Sequence, residues 1–210
     1  MLKTTILIAA LTLPVFAVDT LTTSSGKTVI LNDDFTWQYA SGGLGIATMK
    51  SKQSTLKPLV KRNDQTAEVV SKKNRYVIHY DPTKFVVKKQ RGEKEFFFQS
   101  KDQAVFMQTI AEKNYMSPDM LTEAAIINAR NASQKLDVVE KGETTLNGLP
   151  VNYVVMKAVV KNYEFTYFGC YFSSEQTGSI QLLCWTFTSM FDKRRPDIEG
   201  LISGFEVPGN

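Results

Sequence analysis

LDVVEKGETTLNGLPVNYVVMKAVVKNYEFTYFGCYFSSEQTGSIQLLCWTFT, residues 136–188, decides the fold because it alternates β-favouring runs with recognisable turns. Asn147-Gly148 is the strongest turn signal in the chain, since both residues tolerate the positive φ that a two-residue hairpin loop demands. Lys161-Asn162 closes the next hairpin, and Glu175 to Ser179 suits a three-residue loop with Gly178 in the left-handed position. The reading predicts an antiparallel meander of Leu136 to Leu146, Val151 to Val160, Glu164 to Phe172 and Ser179 to Thr188. If Glu175 and Ser179 close the last hairpin, Cys170 falls opposite Cys184 in a non-hydrogen-bonded pair, where side chains approach closely. An oxidising compartment would then join Cys170 and Cys184 in a structural disulfide; the alternative is two buried free thiols on adjacent strands.

Upstream, Ala67 to Ser71, Arg75 to Tyr80, Phe85 to Lys88, Lys94 to Gln99 and Val105 to Ala111 read as further strands. Ser117 can cap a helix opening at Pro118, with Asp119 in its first turn and Met120, Ala124 and Ile127 on one stripe beside Leu121 and Ala125. A second helix opens at Pro196 and recurs through Ile198, Leu201, Ile202 and Phe205. The fold class is therefore α+β, an antiparallel β-sheet flanked by helices. Phe168, Phe172, Ile180 and Leu182 share the cysteine face of the final hairpin, while Tyr167, Tyr171, Trp185 and Phe187 share the other. Both faces are apolar, so both are expected to be covered, by a helix on each side or by an N-terminal ribbon. The competing reading of Tyr167, Tyr171, Trp185 and Phe187 is an aromatic-lined groove for a ligand or peptide.

The N-terminus has the three parts of an export signal: Lys3, an apolar run from Ile6 to Val15, and Val15-Phe16-Ala17 as a peptidase site. The run is too short to cross a bilayer, so cleavage after Ala17 is expected to release a periplasmic or secreted protein without a transmembrane segment. Removing 17 residues leaves 193 of the 210, enough for one domain and an appendage, and a hydrophobic share of 43% supports a core without help from disulfides. Residues 18–41 read as a small β ribbon, residues 42–65 as a polar, basic linker, and residues 66–210 as the sheet domain. Lys50 to Arg91 carries twelve Lys or Arg against three acids within a chain of net charge +4. Lys50, Lys52, Lys57, Lys61, Arg62, Lys72, Lys73 and Arg75 form a candidate basic patch toward an anionic surface; the alternative is a solvated linker and strand edge. In that compartment nucleic acid is not an expected partner.

Reaction chemistry is sparse. His79, the single histidine, alternates with Val77 and Arg75 and has no nucleophile motif beside it, so it reads as a strand residue. One histidine and two cysteines do not make a usual zinc set, Asp33-Asp34 lacks the calcium-loop spacing, and no glycine-rich phosphate loop occurs. No catalytic residue, metal site or cofactor is predicted.

Two segments carry family resemblances. Gly26 to Tyr39, GKTVILNDDFTWQY, resembles a G-K-x-V-x-L-N-D-D-x-T-W-x-Y element near the N-terminus of some uncharacterised exported bacterial proteins. From Ala67 onward the chain resembles the Mog1/PsbP-like fold. Tyr76 to Pro82, Leu146 to Pro150 before a long hairpin, and Leu201 to Phe205 at the end of the last helix carry that resemblance, with Phe85 where many such bacterial domains have tryptophan. It implies an α/β/α sandwich, and its members are mostly non-enzymatic: photosystem-associated lumenal proteins, a small-GTPase binder, secretion adaptors and exported proteins of unknown role. None of their binding motifs matches these positions. The expectation is a non-catalytic envelope module that binds a protein partner or an anionic envelope surface; the alternative is an envelope hydrolase with an unrecognised site in a cleft of the sheet.

Overall fold

The computed structural model describes residues 20–22, 28–31, 37–39, 52–53, 56–91 and 93–209, with side chains from residue 56 onward. The export signal, the ribbon turns, half of the basic linker and Lys50 lie outside the described residues, as does the side chain of Lys52. Three short strands, β1 (Thr20–Thr22), β2 (Thr28–Leu31) and β3 (Trp37–Tyr39), pair antiparallel in that order.

The sheet domain is α+β, mostly antiparallel, with two helices. Its strands are β4 (Lys52–Gln53), β5 (Ala67–Ser71), β6 (Tyr76–Tyr80), β7 (Phe85–Lys89), β8 (Lys94–Ser100), β9 (Phe106–Glu112), β10 (Lys135–Leu146), β11 (Leu149–Val160), β12 (Tyr163–Ser174), β13 (Gly178–Phe187) and β14 (Phe205–Glu206). Eight of them form one sheet in the order β4-β10-β11-β12-β13-β9-β8-β7, and β14-β6-β5 form a second, smaller sheet. The expected meander is its centre. Asn147 (φ 49°) and Gly148 (φ 87°) make the first turn, and Lys161 (φ 49°) and Asn162 (φ 65°) the second. Residues 56–65 run against the domain, where Leu59 bridges Leu146 and the Gln65 side chain donates to Gly200 O at 2.8 Å.

The third hairpin departs from its expected register. Its closing pair is Ser174 and Gly178, so Glu175-Gln176-Thr177 form the loop and every pairing moves by one residue on each strand. Gly178 has the expected positive φ of 72°, but at the first position of β13, where a side chain would collide with the Glu112 carbonyl. Cys170 consequently faces Leu182, and Cys184 faces Phe168. This corrects the expected Cys170–Cys184 disulfide: the two residues are diagonal rather than opposite, and both are free, buried thiols.

Two cores lie on the two faces of the large sheet. On the cysteine face, α2 (Phe191–Ile202) and the small sheet bury Tyr76, Phe98, Tyr153, Phe168 and Phe205. On the other face, α1 (Pro118–Ala132) buries Leu121 and Ile126 against Leu136, Val154, Met156 and Tyr171. Ser117 caps α1 with Pro118 at its start, as the sequence predicts. The stripe is rotated from its expected position: Met120 is 46% exposed, while Leu121, Thr122, Ala124 and Ile126 are buried. α2 begins five residues before Pro196, which sits inside the helix, because Phe191 anchors its first turn in the core.

Candidate functional site

The face carrying α1 is the one with unexplained features. α1 packs mainly on β10, β11 and β12 and reaches only the edge of β13, and an aromatic row extends past it toward β9 and β8. There Trp185 stacks on Phe106 (centroids 5.6 Å apart) and contacts Phe97 (6.0 Å) and Tyr167 (6.2 Å). Phe165 stacks on Phe187 at 4.9 Å, and Tyr163 meets Phe187 edge-on at 6.3 Å. The result is a continuous aromatic row crossing β8, β9, β13 and β12. It ends at Phe187 (39% exposed) and Tyr163 (62% exposed). Cross-strand aromatic contacts of this kind contribute beyond their buried area, which keeps the row ordered.

Between α1 and the same face lies a cleft of about 70 Å³. α1 contributes Ala125, Ala129 and Ala132, one small residue per turn, and the sheet contributes Ala158, Val160 and Leu183. The floor holds Tyr171. Its ring lies along the strand over Gly169, where any Cβ would collide with the Tyr171 hydroxyl. That hydroxyl is buried and has no hydrogen-bond partner. Gln181, directly across from Tyr171, and Asn128 on α1 line the same space. Burial pushes the Tyr167 phenol up to about 12 and Tyr171 higher still, so both are neutral donors at any ordinary pH.

The predicted site residues are thus divided. Tyr167, Trp185 and Phe187 join one row, and Tyr171 lies under α1 at the edge of that row. Among the described residues, the basic side chains of the candidate patch do not converge. Lys61 pairs with Glu206 at 3.5 Å and Arg62 donates to Pro196 O at 3.0 Å, both near one end of the β5–β6 hairpin. Exposed Lys72 and Arg75, with Lys73 donating to Ala111 O at 3.3 Å, occupy its other end. Those ends lie about 13 Å apart along the strand. Lys57 is exposed on the segment leading to Leu59. Cys170 and Cys184 lie in the opposite core, where burial raises both thiols well above their ordinary range.

Other reactive groups are held in fixed pairs. His79 Nε2 is 2.9 Å from Glu206 Oε2 and its Nδ1 is 3.6 Å from Glu68. The Tyr76 hydroxyl sits 3.0 Å from both Glu95 Oε2 and Thr109 Oγ1. Arg195 grips Glu140 through two bonds, at 2.7 and 3.0 Å, and Glu199 through a third at 2.8 Å, while lying over the Phe168 and Phe191 rings. Among the described residues no cluster of His, Cys, Asp and Glu could hold a metal, and no helix is long and apolar enough to cross a membrane.

Residues 1–136 match the family described as "Protein of unknown function (DUF3157)". The chain belongs to this family. The DUF3157 match takes in the α1 wall of the cleft and stops at the start of β10, before the rest of the meander. No curated protein matches this DUF3157 chain. Among solved structures it is similar to cyanobacterial PsbP (CyanoP) from Synechocystis sp. PCC 6803, at 10% identity over 67% of this chain and 91% of that one, with a TM-score of 0.54. It is also similar to LpqN, involved in cell envelope biogenesis of Mycobacterium tuberculosis, at 10% identity over 58% and 76% of the two chains and a TM-score of 0.42. The likeness to CyanoP is one of fold, and agrees with the PsbP-like architecture read from Tyr76 to Pro82 and Leu146 to Pro150.

Proposed function

We propose that this protein is an exported, non-catalytic binding module whose working surface is the aromatic face of the large sheet, and that its partner is another protein of the envelope. The carrying observation is the row from Phe97 through Trp185 to Phe187 and Tyr163, whose last two rings are exposed. Rigid, half-buried aromatics supply contact area at low entropic cost, and such residues dominate the energetics of protein interfaces. The signal-like Ile6 to Ala17 segment supports export. The pairing of His79, Glu95 and Arg195 with structural partners supports binding over hydrolysis, because each group is already committed to a fixed bond. The separation of Arg62 from Arg75 favours the aromatic face over the basic residues as the contact surface.

A photo-crosslinking residue placed at Phe187 in cells tests the reading, with Val70 on the small sheet, 46% exposed, as control. The expected result is an adduct of discrete mass from position 187 and none from position 70. Equal labelling from both positions, or none from 187, overturns it.

A further inference from the structure

We propose that the free edge of β7 takes an extended acidic segment of another protein as an added antiparallel strand. This contact lies at one end of the large sheet and does not depend on the aromatic row that ends at Phe187 and Tyr163.

Backbone comes first. β7 pairs with β8 alone, with Phe85 opposite Ser100 and Lys89 opposite Phe96. Lys101 N donates to Lys84 O and Gln90 N to Glu95 O, so by alternation Lys84, Val86, Lys88 and Gln90 turn their backbone groups toward β8. Phe85, Val87 and Lys89 turn theirs outward. Phe85 N donates to Asp81 O, whereas the N–H and C=O groups of Val87 and Lys89 meet no partner among the described residues. The opposite edge of the sheet differs: β10 is covered by β4 at Glu140 and Lys141 and bridged by Leu59 at Leu146. The chain thus covers one edge of its large sheet with its own residues and leaves the other as a template for a strand.

Charge comes second. Lys88, Lys89 and Arg91 are exposed, and none of them has an ion pair among the described residues. Elsewhere cations are matched: Lys61 with Glu206, Lys84 with Asp64, Lys135 with Asp137 and Arg195 with Glu140. A second copy of β7 is a poor occupant. The register that pairs Val87 of one copy with Lys89 of the other sets Lys88 directly against Lys88, a like-charge pair that opposes the contact. An acidic strand removes that repulsion and supplies the missing counter-charges.

Side chains come third. Val87 packs on the cysteine-face core and Lys89 follows it on that face, while Val86 and Lys88, opposite Gln99 and Phe97, lie on the aromatic face. Val86 is 44% exposed and Val87 half-buried. Each face of this edge therefore carries one valine and, next along it, one lysine. An antiparallel partner matches the pattern with two consecutive acids followed by two consecutive β-branched residues, so that each face gains one ion pair and one apolar pair.

The test titrates the full chain calorimetrically with the peptide acetyl-Glu-Thr-Glu-Glu-Val-Val-Thr-amide, whose third to sixth residues would face Lys89, Lys88, Val87 and Val86 in turn. Saturable binding that weakens with added salt is expected. Exchanging the peptide's adjacent glutamates for lysines should weaken it about tenfold, as should Lys88→Glu with Lys89→Glu in the protein. Lys57→Glu with Lys72→Glu makes the same change in net charge and should leave binding intact, with a cooperative melt retained in both variants. N-methylation of the peptide's third and fifth residues blocks the amides that face β7 and should weaken binding about tenfold, whereas N-methylation of the fourth and sixth should be tolerated. Absence of saturable binding, equal affinity for the glutamate and lysine peptides, equal affinity for the two methylated peptides, or equal losses in the two charge-reversed proteins each overturns the inference.

Discussion

Tyr171 and Gly169 form a coupled pair on the α1 face, and their energetics can be separated. Removing an unpaired buried hydroxyl relieves its desolvation cost, so Tyr171→Phe is expected to stabilise the protein by about 1 kcal/mol, read from urea unfolding midpoints. Gly169→Ala drives a methyl into the Tyr171 hydroxyl and should destabilise by about 1–3 kcal/mol; the penalty should vanish in a Tyr171→Ala background, a coupling that a double-mutant cycle measures. The buried thiols give a second test. Since burial raises both Cys170 and Cys184, neither should react with a thiol reagent at neutral pH until denaturant opens the core. Asp81 carries a pH signature. Its carboxyl is held below its ordinary value, first by the Thr83 hydroxyl, at 2.6 Å, and also by the Thr83 amide and Lys84. A carboxyl lowered in the folded state contributes stability above its unfolded pKa and loses it as pH falls through the lowered folded value. Asp81→Asn should therefore be less stable than wild type at pH 7, and the gap should close in strong acid.

At the scale of elements, turns were legible where backbone chemistry alone decides them. Asn147-Gly148 forms a two-residue hairpin because both residues accept positive φ, and Lys161-Asn162 takes the same conformation with Asn162 as the residue suited to it. The Glu175 to Ser179 loop misled by one residue because Gly178 could occupy its left-handed position either inside the loop or at the strand start. Only packing of that backbone against the Glu112 carbonyl decides between them. The start of α2 was hidden for a similar reason: proline at 196 signals a first turn, yet Phe191 gains more by extending the helix into the core. Asn147 does more than turn the chain. Its carboxamide accepts from Lys61 N at 2.7 Å and donates to Ser203 O and Phe205 O at 2.8 Å, tying the β10–β11 turn to the segment before β5 and to β14. Asn147→Ala loses these bonds and adds left-handed strain, for an expected cost of about 2–4 kcal/mol. Asn147→Gly, which keeps the backbone conformation, should lose less; chemical denaturation of both variants separates the two contributions.

For the whole molecule, the alternation of Phe168, Cys170 and Phe172 against Tyr167 and Tyr171 was enough to read a sheet with two apolar faces, because side-chain direction in a strand follows from parity. A helix on each face was legible, but the small sheet β14-β6-β5 that completes one cover was not, since it joins residues more than a hundred positions apart. The cleft was hidden likewise: nothing in the sequence marks Ala125, Ala129 and Ala132 as one wall until α1 is set against the sheet. The molecule closes with its last strand. Phe205 of β14 is wholly buried, 5.9 Å from the Tyr76 ring and 5.5 Å from Phe172, and β14 pairs with β6. A ribosome delivers Tyr76 long before Phe205, so a nascent chain carries an uncapped oily surface through most of its synthesis. The cover over Tyr76 and Phe172 is therefore supplied by a residue made more than a hundred positions after Tyr76, and it cannot form before that residue.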